Sequence, residues 1–249
     1  MSSVIIPVKD EEENLKRLIP TLLEQRPLEI IVAIAPSTTD RSRELVESYA
    51  PHARWVEGGM PAAGRNAGAK AARGEYLFFM DADVLPGSPL FLAETLKELE
   101  YRSLDCATVD NHPRTENISH RLFYRCIQNP GVRIATKLRH PRAIGTCIIA
   151  RREAHEAIGG FDENVEFYED GEYVTRMHRY AFKFGVLNPS LHITTDARRL
   201  EKDGIAKVMY LAMKAEAYRA LKGEIMDISV IDSDYFSHKK PRFPTRFGN

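Results

Sequence analysis

Three apolar runs stand out along the chain, at residues 4–8, 29–35 and 76–80. Runs this short and this continuous, without polar alternation, predict strands covered on both faces, as in a parallel sheet. A weaker run at 54–57, closed by Gly58-Gly59, predicts a fourth strand. Between the strands the period becomes helical. Leu15, Leu18, Ile19, Leu22 and Leu23 recur at helical spacing behind the acidic start Asp10-Glu11-Glu12-Glu13, where a helix dipole favours negative charge. Pro20 inside that stretch predicts a kink. Thr39-Asp40 offers an N-cap for a helix reaching about Tyr49, residues 62–72 read as a small-residue helix, and Leu92, Leu96 and Leu99 mark another that starts near Ser88-Pro89. Strand and helix alternating over the first hundred residues predict an α/β fold with a central, mostly parallel sheet.

The second half is less regular. Residues 104–109 and 144–150 read as strands. Residues 118–128 read as a helix broken by Pro130-Gly131, 152–158 as a short helix stopped by Gly159-Gly160, and 171–182 as a helix with Tyr173, Val174, Met177 and Ala181 inward. Residues 201–221 form a long helix that is apolar over most of its circumference. Ile205, Val208, Met209, Ala212 and Met213 make one face, and Tyr210, Leu211 and Tyr218 widen it. Such a helix needs cover from its own domain, a homodimer partner or a membrane surface, and packing within the chain or in a homodimer is the preferred reading. Residues 237–249, with Pro241, Pro244 and Gly248, read as irregular.

Composition narrows the class. A chain of 249 residues suits one large domain, or one with a small appendage. Lys+Arg and Asp+Glu are 35 each, so the global basic field of a nucleic-acid-binding protein is missing, and 43% hydrophobic residues exclude a disordered chain. Cys106, Cys126 and Cys147 form no CxxC and no metal-ligand spacing, which favours a reduced, cytoplasmic compartment. The N-terminus reads as a strand rather than a signal peptide, and no apolar run approaches a membrane span. The zero net charge hides two unbalanced stretches. Residues 114–142 carry Arg114, Arg121, Arg125, Arg133, Lys137, Arg139 and Arg142 against Glu116 alone, and residues 162–172 carry six acids and no base. The basic stretch, interleaved with Leu122, Phe123, Tyr124 and Ile127, suits a phosphorylated lipid or an anionic membrane surface, or else is a solvated loop.

Four groups of residues could carry chemistry. Asp81-Ala82-Asp83 follows a buried strand, where ligands of open α/β sheets bind, and two carboxylates two residues apart in extended chain point the same way. Oxygen ligands of this kind suit Mg²⁺ or Mn²⁺ on a diphosphate; the plain alternative is a solvated turn. Glu169-Asp170 stands where a helix starts, as a cap or as a base for a hydroxyl. Arg65, within Ala62-Ala63-Gly64-Arg65-Asn66-Ala67-Gly68, could meet a phosphate or a base, or simply lie on a packed helix. His192 lies between apolar neighbours and gains interest only beside the Asp pair.

The segments Ser3–Glu11, Gly64–Gly68, Gly74–Asp83, Gly159–Glu163 and Glu169-Asp170, taken in order, resemble the motif blocks of family 2 glycosyltransferases over roughly residues 3–190. The resemblance implies a GT-A (Rossmann-like) fold at 1–200, with a nucleotide-sugar-binding half at 1–100, an acceptor half at 101–200, and a C-terminal helix and irregular tail at 201–249. It implies an inverting transfer from a nucleotide-diphosphate sugar to an acceptor hydroxyl. Asp83 would be the main ligand of a divalent cation (Mg²⁺ or Mn²⁺), with Asp81 nearer the ribose or the metal's outer shell and His192 as a third ligand. Asp170 would be the general base. Pro7, Lys9, Glu11 and Arg65 would line the donor pocket with Ser37, Asp40, Ala82 and Glu169, and Arg176 and Arg179 would either face the leaving diphosphate or lie on a solvated helix face. One departure concerns the base: the family's acidic positions after the second strand hold Ala35 and Pro36 here, leaving Ser37, Thr38 and Asp40. UDP is the favoured donor nucleotide and GDP stays open. The acceptor is a saccharide or a lipid-linked group, and contact with the cytoplasmic membrane surface is an option. A catalytically silent sugar-nucleotide-binding relative is the main alternative. A nucleotidyltransferase is a weaker one, because no glycine-rich basic loop follows the first strand.

Overall fold

A computed structural model of the chain describes residues 1–231. In chain order its elements are β1 (Ser2–Val8), α1 (Glu12–Glu24), β2 (Glu29–Ile34), α2 (Ser42–Glu47), β3 (Ala53–Glu57), α3 (Pro61–Ala71), β4 (Tyr76–Met80), β5 (Val84–Pro86), α4 (Phe91–Tyr101), β6 (Cys106–Thr108) and β7 (Asp110–Arg114). Then come α5 (Ile118–Phe123), a π-helical turn (Tyr124–Gln128), α6 (Asn129–Lys137), β8 (Cys147–Arg151), α7 (Arg152–Ala157), α8 (Glu169–Arg179), β9 (Phe184–Val186), β10 (His192–Asp196) and α9 (Arg198–Lys222).

Seven strands form the main sheet in the order β3-β2-β1-β4-β8-β6-β9. β1 to β4 run parallel, while β8 lies antiparallel to both β4 and β6. The order reverses beside β1, since the chain builds outward through β2 and β3 and then returns to place β4 on the other flank. Such a reversal opens a crevice at the carboxyl ends of the strands. Alternate residues of each strand feed the two layers. Val4, Ile6, Phe78 and Met80 join Leu15, Leu18, Phe91 and Leu99 of α1 and α4, whereas Ile5, Leu77 and Phe79 join Ala62, Ala69, Tyr173, Val174 and Met177 of α3 and α8. The small residues of α3 have a steric cause: a Cβ at Gly68 would stand 2.3 Å from Ile5 Cγ2.

Four expectations change. α1 runs unbroken through Pro20. Pro130-Gly131 does not end the helix. The preceding turn widens to π geometry, with the Asn129 N–H bonding back to the Tyr124 carbonyl, and this widened turn lets the helix run on through Pro130, which has no N–H to donate. The Asn129 side chain clamps the new turn by accepting from the Asn111 N–H at 3.2 Å and donating to the Asn111 carbonyl at 3.0 Å. α9 has a non-helical break at Gly204 and buries Leu211 and Ala215 against Ile225 and Ile231, while Met209 and Met213 of the expected inward face stay exposed. Finally, β5, β10 and β7 form a second small sheet that periodicity did not predict. Residues 237–249, expected to be irregular, lie outside the described residues.

Candidate active site

The carboxyl ends of β1, β2 and β4 deliver Lys9 and Glu11, Ser37 and Asp40, and Asp81 to Asp83 to one edge of the main sheet. β8 runs back beside β4, pairing Cys147 with Met80, so that the Asp81 N–H donates to the Thr146 carbonyl at 3.0 Å. That register puts Gly145 next to the acidic turn. α8 begins on the far side of Gly145 and brings Glu169 and Asp170.

Arg65 joins these pieces. It is 2% exposed, and its guanidinium donates to Glu169 at 2.7 Å, to Asp81 at 3.0 Å and to the Gly145 carbonyl at 3.1 Å. Its Nε has no partner. This one buried cation therefore holds carboxylates from a strand end and a helix start 104 residues apart from it at most. Its polar reach is directed at protein groups rather than along an open donor pocket.

Asp170 sits in the first turn of α8. It accepts from the Gly171 N–H at 2.8 Å and from the backbone of Gly145. Burial pushes its carboxyl up to about 7, the Glu169 charge adds to this, and Arg65 and the two backbone donors oppose it. Burial likewise pushes Asp81 up to about 6 against the pull of Arg65, with Asp83 and Glu169 raising it further. The start of α8 is sterically fixed. Tyr168 takes a left-handed φ of 71°, and its ring lies so close over Gly171 that a Cβ there would be 2.1 Å from Cε1. Arg219 of α9 covers the Tyr168 ring at 4.7 Å, and Glu216 pairs with Arg142 at 2.9 Å, so α9 braces both lips of the base site.

Asp81 and Asp83 do not project together from extended chain. Residues 81–83 form a turn between β4 and β5, and the two carboxylates engage different cations. Asp83 lies 3.8 Å from Arg198, which also pairs with Asp196 at 3.0 Å. The antiparallel register Thr195–Val84 sets Asp196 opposite Asp83. His192 is opposite Gly87, four residues up the ladder and so about 13 Å from Asp83, and it stacks on His112 at 4.1 Å. The structure thus brings Asp196, not His192, toward the acidic turn. Hard oxygen donors beside a guanidinium that already bridges them suit Mg²⁺ or Mn²⁺, which bind through one or two carboxylates and complete their shell with phosphate and water. Among the described residues no group of three or more His, Cys, Asp or Glu side chains is placed to hold a metal ion.

The remaining residues divide. Pro7 packs under Gly64, Ala82 is buried in the acidic turn, and Lys9 and Glu11 sit at the β1 end, with Glu11 holding Asn14. Asp40 is structural: it accepts from the Glu12 N–H at 2.8 Å and the Ser42 N–H at 3.0 Å, and so caps two helices. Ser37 and Thr38 present buried hydroxyls without partners. Arg176 is turned away, in a two-point pair with Glu172 at 2.7 Å and bonded to the Ile158 carbonyl. Arg179 is exposed at the end of α8, nine residues and about 13 Å of helix beyond Asp170. Gly145, Asp196 and Arg198 escaped the sequence reading. The alternation of buried Ile193 and Thr195 with His192, Thr194 and Asp196 was the one local signal for a strand carrying Asp196.

Comparison with known proteins fits this geometry. Glycosyltransferase EpsJ of Bacillus subtilis (strain 168) is 30% identical over 210 residues, 77% of this chain, and the chain spans 60% of that relative's length. The poly(ribitol-phosphate) beta-glucosyltransferase of Bacillus spizizenii is 32% identical over 100 residues, 36% of this chain and 16% of that protein. Among solved structures, the mannosyltransferase PcManGT of Pyrobaculum calidifontis, in complex with GDP-Man and Mn²⁺, superposes with a TM-score of 0.69 at 19% identity, over 95% of this chain and 69% of that one. S. aureus TarS 1-349 with UDP-GlcNAc superposes at 0.61 and 17% identity, over 97% of this chain and 76% of that one. These likenesses carry the fold: a GT-A-like mixed sheet flanked by helices. The family model for Glycosyl transferase family 2 matches residues 3–159, the stretch that holds the acidic turn, Arg65 and Gly145, and the chain belongs to that family.

Proposed function

We propose that this chain is an inverting glycosyltransferase. It moves a sugar from a nucleotide-diphosphate donor to an acceptor hydroxyl, with Asp170 as general base. The observation that carries the reading is the joining of Asp170, Glu169 and Asp81 around buried Arg65 at the reversal point of the sheet. A carboxylate with pKa about 7 exchanges protons near neutrality, which suits it to take the acceptor's proton as that oxygen attacks the anomeric carbon. Arg65 keeps the neighbouring carboxylates in place, and the Gly145 and Gly171 backbones orient Asp170. A divalent cation held by Asp83, with Asp81 and Asp196 beside it, would neutralise charge on the leaving diphosphate. Arg198 lies where it can contact the same diphosphate. With the Ser37 and Thr38 hydroxyls buried, the backbone groups of this loop supply the polar contacts to the nucleotide base where acidic residues are missing. The donor is a UDP- or GDP-sugar: TarS is seen with UDP-GlcNAc and PcManGT with GDP-Man. The acceptor is a saccharide or a lipid-linked group.

A panel of nucleotide-sugars with Mn²⁺ tests this directly. Release of nucleoside diphosphate is expected. Pyrophosphate release instead would identify nucleotidyl transfer, and donor binding without any release would identify a silent relative.

A further inference from the structure

The α5–π–α6 helix carries an apolar stripe on the side away from its own core. Ile118, Leu122, Ile127, Ile134 and Leu138 are each between 48% and 66% exposed. Their steps are four, five, seven and four residues. In a plain α-helix the five-residue step would throw the stripe out of line. Here that step spans the π turn at Tyr124–Gln128, where a turn takes an extra residue, so all five side chains stay on one face over about 30 Å. The inward face is firmly occupied. Phe123, Asn129 and Val132 are buried, and Arg133 pairs with Asp110 at 2.9 Å and donates to the Leu187 carbonyl. The outward stripe is therefore a fixed surface and not a frayed segment.

Charge indicates the occupant. Arg121, Arg125, Lys137 and Arg139 are exposed on this helix and its end, and residues 117–142 contain no Asp or Glu. α9 contacts α5 and adds exposed Met209, Tyr210 and Met213 nearby. We infer that the stripe is a docking surface for an anionic lipid bilayer, with the five apolar side chains entering the headgroup–acyl boundary and the four cations meeting lipid phosphates. A second copy of the chain fits worse, because a two-fold contact would oppose this cationic face to itself. Residues 232–249 are an equally poor cover: Lys239, Lys240, Arg242 and Arg246 outnumber Asp232 and Asp234, so the segment repeats the sign of the face. No helix among the described residues is long and apolar enough to cross a membrane, so the association is peripheral.

The position of the stripe gives it a use. The chain leaves α6 at Lys137 and within eight residues reaches Gly145, which bonds Asp170 and Arg65. A bilayer on this helix would therefore be linked by eight residues of chain to the loop that holds the proposed base. The docking does not depend on turnover, so its failure and failure of the proposed activity are read separately.

The full chain is sedimented with phosphatidylcholine vesicles with and without phosphatidylglycerol. Expected are binding to the anionic vesicles that falls as salt rises, and partitioning at least about tenfold weaker in Leu122→Asp/Ile134→Asp. Both positions are surface sites outside the catalytic machinery, and an unchanged circular dichroism spectrum and Tm confirm that the variant folds. Arg121→Glu/Arg125→Glu is expected to lose the anionic preference. Three results would overturn the inference: no binding to anionic vesicles, equal binding by the apolar double variant, or a homodimer in sedimentation velocity that this variant dissociates while vesicle binding is absent.

Discussion

Replacing Asp170 by Asn should make the protein more stable at pH 8 while it abolishes turnover. The folded state holds the Asp170 carboxyl at about 7, against 3.8 for an unperturbed aspartate, because burial and Glu169 disfavour the charge. A carboxyl raised in the folded state binds a proton that the unfolded chain has already released. Folding stability therefore falls as pH rises from about 4 to about 7, and the deficit is complete above 7. The full shift corresponds to about 4 kcal/mol. Asp170 keeps some solvent contact, which screens its charge, and Asn cannot accept from both Gly145 and Gly171, so about 1–3 kcal/mol is the working figure. For a chain of this size that raises Tm by several degrees. Calorimetry of wild type and Asp170→Asn at pH 5 and pH 8 gives the test. The gap should be a little over a third as large at pH 5 as at pH 8, with the variant melting clearly higher at pH 8. Turnover should fall by about two or more orders of magnitude with donor affinity retained. If Asp170→Asn melted no higher than wild type at pH 8, the raised carboxyl and the base assignment built on it would both fail.

Other consequences are as direct. Asp196→Asn should weaken Mn²⁺ binding several-fold by titration calorimetry, and His192→Ala should leave it unchanged, because only Asp196 faces Asp83 in the register. Arg65→Met should destabilise by about 3–5 kcal/mol at neutral pH, since it strands Asp81 and Glu169, and by less at acid pH where Asp81 and Asp170 carry protons. Chemical denaturation at pH 5 and 8 reads the difference. Gly171→Ala should push the Tyr168 ring off α8 and lower kcat with little change in donor Kd. Glu29 has the opposite pH sign to Asp170. Burial raises its pKa, but Ser3, Arg73 and Arg54 lower it more, so its stabilisation is present above the unfolded pKa and lost as pH falls through the lowered folded value; Glu29→Ala should cost about 2 kcal/mol at pH 7 and progressively less on acidification.

The parts of the fold legible in the sequence are those whose burial is complete on both faces. β1, β2 and β4 are continuous apolar runs because helices cover the sheet on each side, and the Asp81–Asp83 turn was found from its place after such a run. The short strands β5, β7, β9 and β10 have three to five residues each, mix polar and apolar types, and are defined by partners far away in sequence. Pro113 even argues against a strand at β7. The same locality limit explains the site. Asp170 was visible as a carboxylate before a helix, but the commitment of Arg65 to Glu169 and Asp81, and the approach of Asp196 to Asp83, exist only once β8 and β10 are paired. Arg176 and Arg179 were misplaced because their basic-aromatic setting says nothing of which face of α8 they take.

The single widened turn at Tyr124–Gln128 also constrains how this chain can change length. It acts as a one-residue insertion absorbed within a continuous helix. Deleting one residue of 124–128 would let this turn close to ordinary α winding and leave the turns on either side in register. Arg133 would keep Asp110, Asn129 would keep Asn111, and Ile134 and Leu138 would stay in line with Ile118 and Leu122, whereas a deletion elsewhere in the helix would rotate everything beyond it by about 100°. The widened turn is therefore the place in this helix where one residue can be lost while the inner anchors and the outer stripe keep their alignment, and a length change anywhere else in it would break both together.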